Sequence, residues 1–173
     1  SDVTAAITAL AIFVRSELST LTVIGITGSQ GKTTTKDLLR HMLSHHGATV
    51  APQGNYNNEL GVPLTLLECS STTKFVIIEM GARHMGDIAH LASIAQPDIA
   101  VVLRVGMAHI GEFGSIESIA QTKSELISAL KEDGIAILGQ YDPHTKAMSS
   151  LHKGEVITFG TAHSDVVLSL IHI

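Results

Sequence analysis

The sequence is poor in aromatic residues and in clusters of positive charge. Aromatic residues make up 3% of the 173 residues, and tryptophan is absent. A surface that binds nucleic acid by stacking bases on aromatic side chains is therefore not expected. The formal net charge is -5, and no run of Lys and Arg is present that could follow a phosphate backbone. We expect no nucleic-acid partner.

The sequence also lacks disulfide partners and long apolar segments. Its one cysteine, Cys69, has no partner for an internal disulfide, which suits a reducing compartment. We expect its thiol to be a small, buried or half-buried apolar group. The apolar stretch at residues 3–14 contains Thr4 and Thr8 and is too short to cross a bilayer. No basic segment precedes it, as a signal peptide would require. These absences predict a cytoplasmic protein without a membrane span.

Short apolar segments alternate with helical patterns along most of the chain. The predicted strands cover residues 21–27, 75–78, 99–103, 135–138 and 156–159. The predicted helices cover residues 2–18, 32–46, 87–95, 115–130 and 142–151. Strands that are apolar throughout and alternate with helices indicate a parallel sheet with helices on both faces. The expected fold is a mostly parallel, doubly wound α/β domain of three layers.

Both ends of the sequence differ from its central part. We interpret residues 1–20 as a linker helix from a missing N-terminal domain, because little chain precedes this helix for it to pack against. Residues 21–167 are assigned to one central domain. The last residues, 168–173 (LSLIHI), are encoded by a DNA string that resembles a common transposon sequencing adapter. We expect this tail to be a cloning or assembly artefact, with an ordinary hydrophobic strand as the alternative.

A glycine-rich segment, G-S-Q-G-K-T-T, lies between the first predicted strand and the second predicted helix. Glycines let backbone N–H groups turn towards an anion, and the start of a helix adds a favourable dipole. The segment predicts a phosphate loop in which Lys32 reaches the β- and γ-phosphates and the Thr33 hydroxyl ligates Mg²⁺. Ile26 stands where the usual pattern has glycine, and the alternative is a glycine-rich turn with a solvated lysine. The predicted nucleotide-binding residues are Gly28, Ser29, Gln30, Gly31, Lys32, Thr33 and Thr34.

Two further polar residues follow predicted strands. Glu79 comes directly after the strand at residues 75–78, and His109 lies in the loop after the strand at residues 99–103. Because the carboxyl ends of parallel strands form one rim where ligands bind, we expect both beside the phosphate loop. An acidic residue there can hold a metal ion next to the nucleotide, although each residue taken alone has an ordinary structural role as its alternative. The absence of the N-K-x-D motif of GTPases favours ATP as the nucleotide.

Lys123 falls within the apolar stripe of the predicted helix at residues 115–130. Ile119, Leu126 and Ile127 are among the residues of that stripe, with the spacing of one helical face. A lysine in such a position either extends its ammonium group to the surface or takes part in a site. Considered alone, the residue is better explained by extension to the surface.

Several motifs between residues 21 and 160 together resemble the Mur ligase family. Besides the phosphate loop they are Q-G-N-Y-N-N-E-L-G-V-P-L-T at residues 53–65, E-M-G at residues 79–81 with His84 and Gly86, A-H at residues 108–109 with F-G-S at residues 113–115, and I-A-Q-T-K-S-E at residues 119–125. The G-N-x-N-N-E and E-M-G segments favour the dipeptide-adding branch over its sister ligases. The resemblance implies an ATP-binding central domain. Full-length members also have an N-terminal domain for the UDP end and a C-terminal domain that brings the incoming amine.

The resemblance implies an ATP-dependent amide-bond ligase of peptidoglycan precursor synthesis. Its substrates would be UDP-MurNAc-tripeptide, whose terminal carboxylate ATP converts to an acyl phosphate, and D-alanyl-D-alanine, whose amine displaces the phosphate. One Mg²⁺ would be held by Thr33 and Glu79, and a second by His109. Family members carry a carbamylated lysine at the position of Lys123, which makes this residue an anionic metal ligand. The implied catalytic residues are therefore Lys32, Glu79, His109 and Lys123.

The resemblance also suggests contacts with the substrate. We expect Asn55, Asn58 and His84 to meet substrate or phosphate oxygens, with turn-forming asparagines and a surface histidine as the alternative. Arg104 and Gln30 stand where relatives often carry Asn, and these departures concern local substrate contacts, not the metal site. Two other functions are weighed: a folylpolyglutamate synthase-like ligase of the same superfamily, and a regulatory module that binds nucleotide through its phosphate loop without forming an amide.

Overall fold

The strands form one sheet in which every pairing is parallel. The computed structural model describes residues 2–54, 56–108, 110–160 and 163–167, and in these the strand order is β2-β3-β1-β4-β5-β6-β7. The strands are β1 (Thr22–Thr27), β2 (Ala48–Val50), β3 (Thr73–Glu79), β4 (Ile99–Val102), β5 (Ile135–Gly139), β6 (Glu155–Gly160) and β7 (Val166–Val167). The helices are α1 (Val3–Glu17), α2 (Lys32–Ser44), α3 (Gly61–Leu67), α4 (Asp87–Ala95), α5 (Ile110–Phe113), α6 (Ile116–Ser128) and α7 (Pro143–Ala147). The α/β fold predicted from the sequence is confirmed.

Strand β1 marks the point where the winding of the sheet reverses. The chain adds β2 and β3 on one side of β1 and then crosses to β4 on the other side. At such a reversal the loops that follow neighbouring strands leave a crevice at the carboxyl edge of the sheet. Ile26 pairs with Glu79, and Thr27 pairs with Val102. The loops after β1, β3 and β4 therefore start at the same level of the sheet.

Helices cover the two faces of the sheet unequally. The larger core cluster lies under α1, α3, α4 and α6 and includes Val76 and Ile78 of β3 and Leu126 of α6. The smaller cluster, on the opposite face, includes Ile77 and packs against Leu39 of α2. Successive residues of β3 thus point to opposite faces, as the alternation of side chains along a strand requires. Both faces are apolar, which explains why the strand sequences show no polar alternation.

Helix α1 packs on this domain. It contacts α3 and α4, and the guanidinium of Arg15 donates to the two carboxylate oxygens of Asp98 at 3.0 and 3.1 Å. Asp98 also accepts from the backbone N–H of Val23 at 2.8 Å, which ties the helix to β1. The interpretation of residues 1–20 as a linker from another domain stays a prediction. Among the described residues no helix, α1 included, is long and apolar enough to cross a membrane.

The structure contains elements that the sequence patterns do not predict. Helix α3 includes Gly61 and Pro63 in its first turn, where proline is tolerated because that N–H group has no helical partner. The elements β2, α5 and β7 are 3, 4 and 2 residues long, too short for periodicity to reveal. The predicted helix at residues 142–151 is instead α7 followed by a 3₁₀ turn at Met148–Leu151. The tail at residues 168–173 lies outside the described residues.

Cys69 matches its expected role as a half-buried apolar group. Burial raises the pKa of its thiol to about 11, with the carboxylate of Glu68 adding to the effect. Because the thiolate is the reactive form, a thiol with such a pKa is unreactive near neutral pH.

Candidate active site

The phosphate loop runs from the end of β1 into the first turn of α2. Gly31 precedes the helix with a backbone φ of 84°, in the left-handed region that favours glycine. Gly28 is buried, and a Cβ atom at this position would lie 3.0 Å from the Cβ of Leu103. The backbone therefore needs glycine at both positions. The amino-terminal turn of α2 lies at the carboxyl edge of the sheet, as phosphate binding requires.

Lys32 is half-buried beside this loop. Its Nζ donates a hydrogen bond to the carbonyl oxygen of Gly28 at 2.9 Å. Burial lowers the pKa of Lys32, and the carboxylate of Glu79 raises it by a smaller amount. An ammonium group that has lost part of its hydration gains more from a nearby anion than a solvated one does. The position suits Lys32 to bind a phosphate.

The carboxylate of Glu79 is held in place by two side chains. Glu79 ends β3 and is only 1% exposed. Its Oε2 accepts from the hydroxyl of Thr33 at 2.9 Å, and its Oε1 accepts from the amide Nδ2 of Asn57 at 2.8 Å. A carboxylate next to the hydroxyl of a phosphate-loop threonine is the ligand pair that holds Mg²⁺ in many nucleotide-binding proteins. The predicted neighbourhood of Thr33 and Glu79 is therefore present.

The donor set of this site fits an ion that is shared with a nucleotide. Among the described residues, no three His, Cys, Asp or Glu side chains come together as a ready-made metal site. Mg²⁺ is usually bound by one or two carboxylates, with water and substrate phosphates completing its coordination. Thr33 and Glu79 would hold such an ion beside the phosphates, without a cage of protein ligands.

Lys123 is buried on the inner face of α6, with 7% of the residue exposed. The apolar neighbours predicted for it, among them Ile119 and Leu126, are buried in the same helix. Burial and the positive charge of Lys32 lower the pKa of Lys123 to about 8. Its side chain lines the same cavity as Lys32 and Glu79 and does not extend into bulk solvent. The position has the character of a site residue.

A cavity of about 750 Å³ brings most of the predicted site residues together. Those that line it are Gly28, Lys32, Thr33, Asn58, Glu79, His84 and Lys123. Predicted nucleotide-binding residues that do not line it are Ser29, Gln30, Gly31 and Thr34. His84 is exposed, with its Nδ1 3.9 Å from the carboxylate of Asp87. Asn55 and His109 lie outside the described residues, so their roles stay predictions.

The side chain of Ser29 contacts a neighbouring loop of the protein. Its hydroxyl donates to the carbonyl oxygen of Gly106 at 3.0 Å and accepts from the N–H of Gly106 at 2.9 Å. The N–H of Ser29 also donates to the carbonyl oxygen of Arg104 at 2.9 Å. A hydroxyl has one proton to donate, and here that proton is used within the protein. Ser29 thus fastens the loop that leads towards His109 to the phosphate loop.

Asn57 is a site residue to which the sequence patterns assign no role. Three asparagines occur at residues 55–58, and the substrate contacts were expected at Asn55 and Asn58. The structure places Asn57 on Glu79, and the carbonyl oxygen of Asn57 also accepts from the N–H of Gly81 at 3.0 Å. A Cβ atom on Gly81 would lie 2.8 Å from the side chain of Asn57. The glycine of the E-M-G segment is thus explained by the close approach of this asparagine.

Asn58 supports the start of α3. Its Oδ1 accepts from the N–H groups of Gly61 at 2.9 Å and Leu60 at 3.3 Å. We expect Asn58→Ala to lower the free energy of unfolding by about 1 kcal/mol, because these amides at the helix start lose their acceptor. Urea unfolding would measure the change. Asn58→Asp keeps the acceptor and should retain most of the stability; equal stability of the Ala variant and the wild type would contradict this role.

The model of the family described as Mur ligase middle domain matches residues 26–171 of the chain. This chain belongs to the Mur ligase family. The family relationship indicated by the motifs is thereby confirmed. A curated relative of this Mur ligase domain is the UDP-N-acetylmuramoyl-tripeptide–D-alanyl-D-alanine ligase of Mycobacterium tuberculosis. It is 52% identical over 157 residues, which cover 90% of this chain and 31% of the relative.

Solved structures of family members resemble this Mur ligase domain along nearly its whole length. MurF from Acinetobacter baumannii superposes with a TM-score of 0.93 at 38% identity, over 99% of this chain and 38% of the other. The MurF ligase from Thermotoga maritima, solved in complex with ADP, superposes with a TM-score of 0.88 at 38% identity, over 96% of this chain and 38% of the other. The chain spans about a third of the length of the curated relatives it matches.

Proposed function

We propose that the full-length gene product is an ATP-dependent ligase that adds D-alanyl-D-alanine to UDP-MurNAc-tripeptide in peptidoglycan precursor synthesis. The curated relatives with 52% and 44% identity bear the name of this activity. Within the chain, the observation that supports it most directly is the contact between Thr33 and Glu79 in one cavity with two lysines, Lys32 and Lys123. A cavity of this composition suits a triphosphate, a divalent cation and a carboxylate substrate.

The phosphate loop would bind the triphosphate of ATP. Lys32 would exchange its hydrogen bond to Gly28 for one to the β- or γ-phosphate, and the backbone amides at the start of α2 would face the phosphate oxygens. Thr33 and Glu79 would hold Mg²⁺ beside the phosphates, and the ion would supply positive charge to offset the negative charge of the transferred group. The complex of a similar ligase with ADP supports ATP as the nucleotide.

The proposed reaction overcomes the low reactivity of a free carboxylate. Transfer of the γ-phosphoryl group to a carboxylate oxygen of the tripeptide yields ADP and an acyl phosphate, whose leaving group is phosphate. The amine of D-alanyl-D-alanine then attacks the carbonyl carbon, loses a proton and expels phosphate to form the amide. The chain's contribution is to hold the two anionic reactants close together, which their mutual repulsion opposes in water.

Lys123 would act as a metal ligand after addition of CO₂ to its amine. An ammonium group has no lone pair for a cation, whereas a carbamate offers anionic oxygens. Addition requires the neutral amine, and a pKa of about 8 makes that form accessible near neutral pH. We propose that the carbamate and His109 together hold a second Mg²⁺ that steadies the migrating phosphoryl group.

The proposed reaction needs parts beyond this domain. An N-terminal domain would bind the UDP end, and a C-terminal domain would bring the amine and close over ATP. The domain by itself is then expected to be inactive, because closure of domains completes such sites. The nucleotide-linked substrate and ATP place the proposed reaction in the bacterial cytoplasm, where it would serve cell-wall synthesis, cell shape and cell division.

The test is phosphate release by the full-length gene product with ATP, Mg²⁺, UDP-MurNAc-tripeptide and D-alanyl-D-alanine. We expect release only when all of these are present, because phosphate leaves after the amine attacks. Omission of each component in turn provides the controls. Release that needs neither peptide substrate, or tight ATP binding without release, would refute the ligase and favour a regulatory module that binds nucleotide.

A further inference from the structure

Lys36 is a buried cation for which the proposed reaction has no use. It lies in α2 behind the phosphate loop and is only 1% exposed, although lysine is among the residues least often buried. Removing an ammonium group from water is costly unless hydrogen bonds replace those to water. The contacts of the ammonium group therefore indicate what this residue does.

The ammonium group of Lys36 is bound to the backbone of a neighbouring loop. Its Nζ donates to the carbonyl oxygens of Pro52 and Gly54, each at 2.8 Å. It also lies 3.2 Å from the carboxylate of Asp37, so all three of its donors have acceptors. We name the described residues 52–54 and 56–58 the asparagine loop. Lys36 thus fastens the start of this loop to α2.

The far end of the asparagine loop contacts the carboxylate of Glu79, the proposed metal ligand. Asn57 donates to Oε1 of Glu79, and its carbonyl oxygen accepts from the N–H of Gly81. Thr33, which contacts Oε2 of Glu79, precedes Lys36 by three residues on the same face of α2. The same face of α2 therefore supports Glu79 in two ways. Thr33 contacts its carboxylate directly, and Lys36 acts indirectly by holding the asparagine loop that carries Asn57.

We propose that Lys36 is a positioning residue: it holds the asparagine loop so that Asn57 keeps the Glu79 carboxylate turned towards the metal ion. The terminal torsion of a glutamate is broad and has no sharp rotamers. Thr33 and Asn57 donate to opposite oxygens of the carboxylate and confine this torsion. Loss of Asn57 would leave Thr33 as the only donor to the carboxylate among the described residues. The catalytic consequence rests on the proposed ligase function, whereas the placement of the loop does not.

The ion pair with Asp37 does not account for the burial of Lys36. The side chain of Asp37 is 62% exposed, and exposed ion pairs contribute little to stability. Both remaining partners of the ammonium group are carbonyl oxygens of the asparagine loop. We therefore expect Asp37→Asn to leave the loop in place and Lys36→Met, which keeps the length of the apolar stem, to release it.

Amide hydrogen exchange tests the placement of the loop without reference to activity. In the full-length gene product, we expect Lys36→Met to speed exchange at the amide of Gly81 by about tenfold, because local opening of the loop exposes it. The interior amides of β3 should keep their exchange rates. This result would show that the domain of the variant remains folded. Lys74→Met is the matched control, since the exposed Lys74 also donates to a backbone carbonyl, that of His46 at 3.4 Å.

Titration of phosphate release with Mg²⁺ tests the consequence for the metal site. We expect Lys36→Met and Asn57→Ala each to raise the Mg²⁺ concentration at half-maximal rate by about tenfold, the scale of one charge-assisted hydrogen bond. The double variant should need no more Mg²⁺ than Asn57→Ala alone, because both changes remove the same support. A merely structural role of Lys36 would lower stability and leave this dependence unchanged.

Several results would overturn the proposal. The first is an unchanged exchange rate of the Gly81 amide in a folded Lys36→Met variant. The second is a double variant in which the effects of Lys36→Met and Asn57→Ala on the Mg²⁺ dependence add. If Lys36→Met does not fold, Lys36→Gln replaces it: its amide nitrogen is one bond closer to the backbone than Nζ and is not expected to reach the carbonyls of both Pro52 and Gly54. Gly81 exchange should then still be faster than in the wild type, and unchanged exchange would overturn the proposal. Faster Gly81 exchange in a protein that releases no phosphate would uphold the placement of the loop and count against the ligase function instead.

Discussion

Replacing Lys32 with Ala is expected to slow phosphate release by the full-length gene product at least about a hundredfold, the scale of losing one donor that stabilises transition-state charge. Lys32 belongs to the phosphate loop and lines the cavity, and its partly desolvated ammonium interacts more strongly with an anion than a solvated one does. Because the charge on the phosphoryl oxygens shifts during transfer, the loss should fall mainly on kcat. Steady-state kinetics of phosphate release at saturating Mg²⁺ would measure it.

The control for this prediction is Lys74→Ala, which removes an exposed lysine on the outer part of β3. It changes the net charge of the protein by the same amount without touching the cavity, and its rate should match that of the wild type. A Lys32→Ala variant that binds ATP and retains more than about a tenth of the wild-type rate would show that the phosphates are held elsewhere.

Replacing Lys123 with Met is expected to abolish phosphate release and at the same time to stabilise the protein. The proposed activity would be lost because methionine forms no carbamate and so could not supply the proposed Mg²⁺ ligand. The stability is gained because the variant no longer buries an ammonium group that lies close to Lys32. Loss of function is the recurrent cost of stabilising an active site whose residues are strained for function.

The effect of Lys123 on stability has a defined dependence on pH. Its folded-state pKa of about 8 lies below the ordinary value of 10.5, so the unfolded chain binds more protons between these values. The stability of the wild type should therefore rise with pH through this window, and the penalty is fully present below pH 8. At pH 7, without metal and CO₂, Lys123→Met should raise the free energy of unfolding by on the order of 2 kcal/mol. Urea unfolding of wild type and variant at pH 7 and 10 would measure this.

Carbamylation of Lys123 predicts that activity depends on CO₂. The full-length wild-type protein depleted of bicarbonate should lose phosphate release and recover it when bicarbonate is added, whereas added chloride should restore nothing. At equal concentrations of dissolved CO₂, recovery should be faster at pH 9 than at pH 7, because the neutral amine becomes the main form above a pKa of about 8. Activity that is indifferent to bicarbonate, together with a bare amine in electron density, would contradict the carbamate.

The parts of the site that lie at strand ends could be predicted from the sequence. Glu79 is the last residue of β3, and the phosphate loop directly follows β1; in a parallel sheet such strand ends meet at one edge. The position of Lys123 was readable because a cation in an apolar helical stripe departs from the pattern around it. Each of these inferences depends on a local pattern and one rule of sheet geometry.

The sequence by itself thus determined the α/β class, the phosphate loop and the family, since alternating apolar segments and contiguous motifs are local properties of the chain. Only the tertiary structure decided which asparagine meets Glu79, why Ser29 faces Gly106, and what the buried Lys36 holds. These contacts join residues that are 22, 77 and 16 positions apart, and loops without periodicity bring them together. A loop's path is set by the hydrogen bonds that it can satisfy at both ends, and those partners exist only once the sheet has assembled.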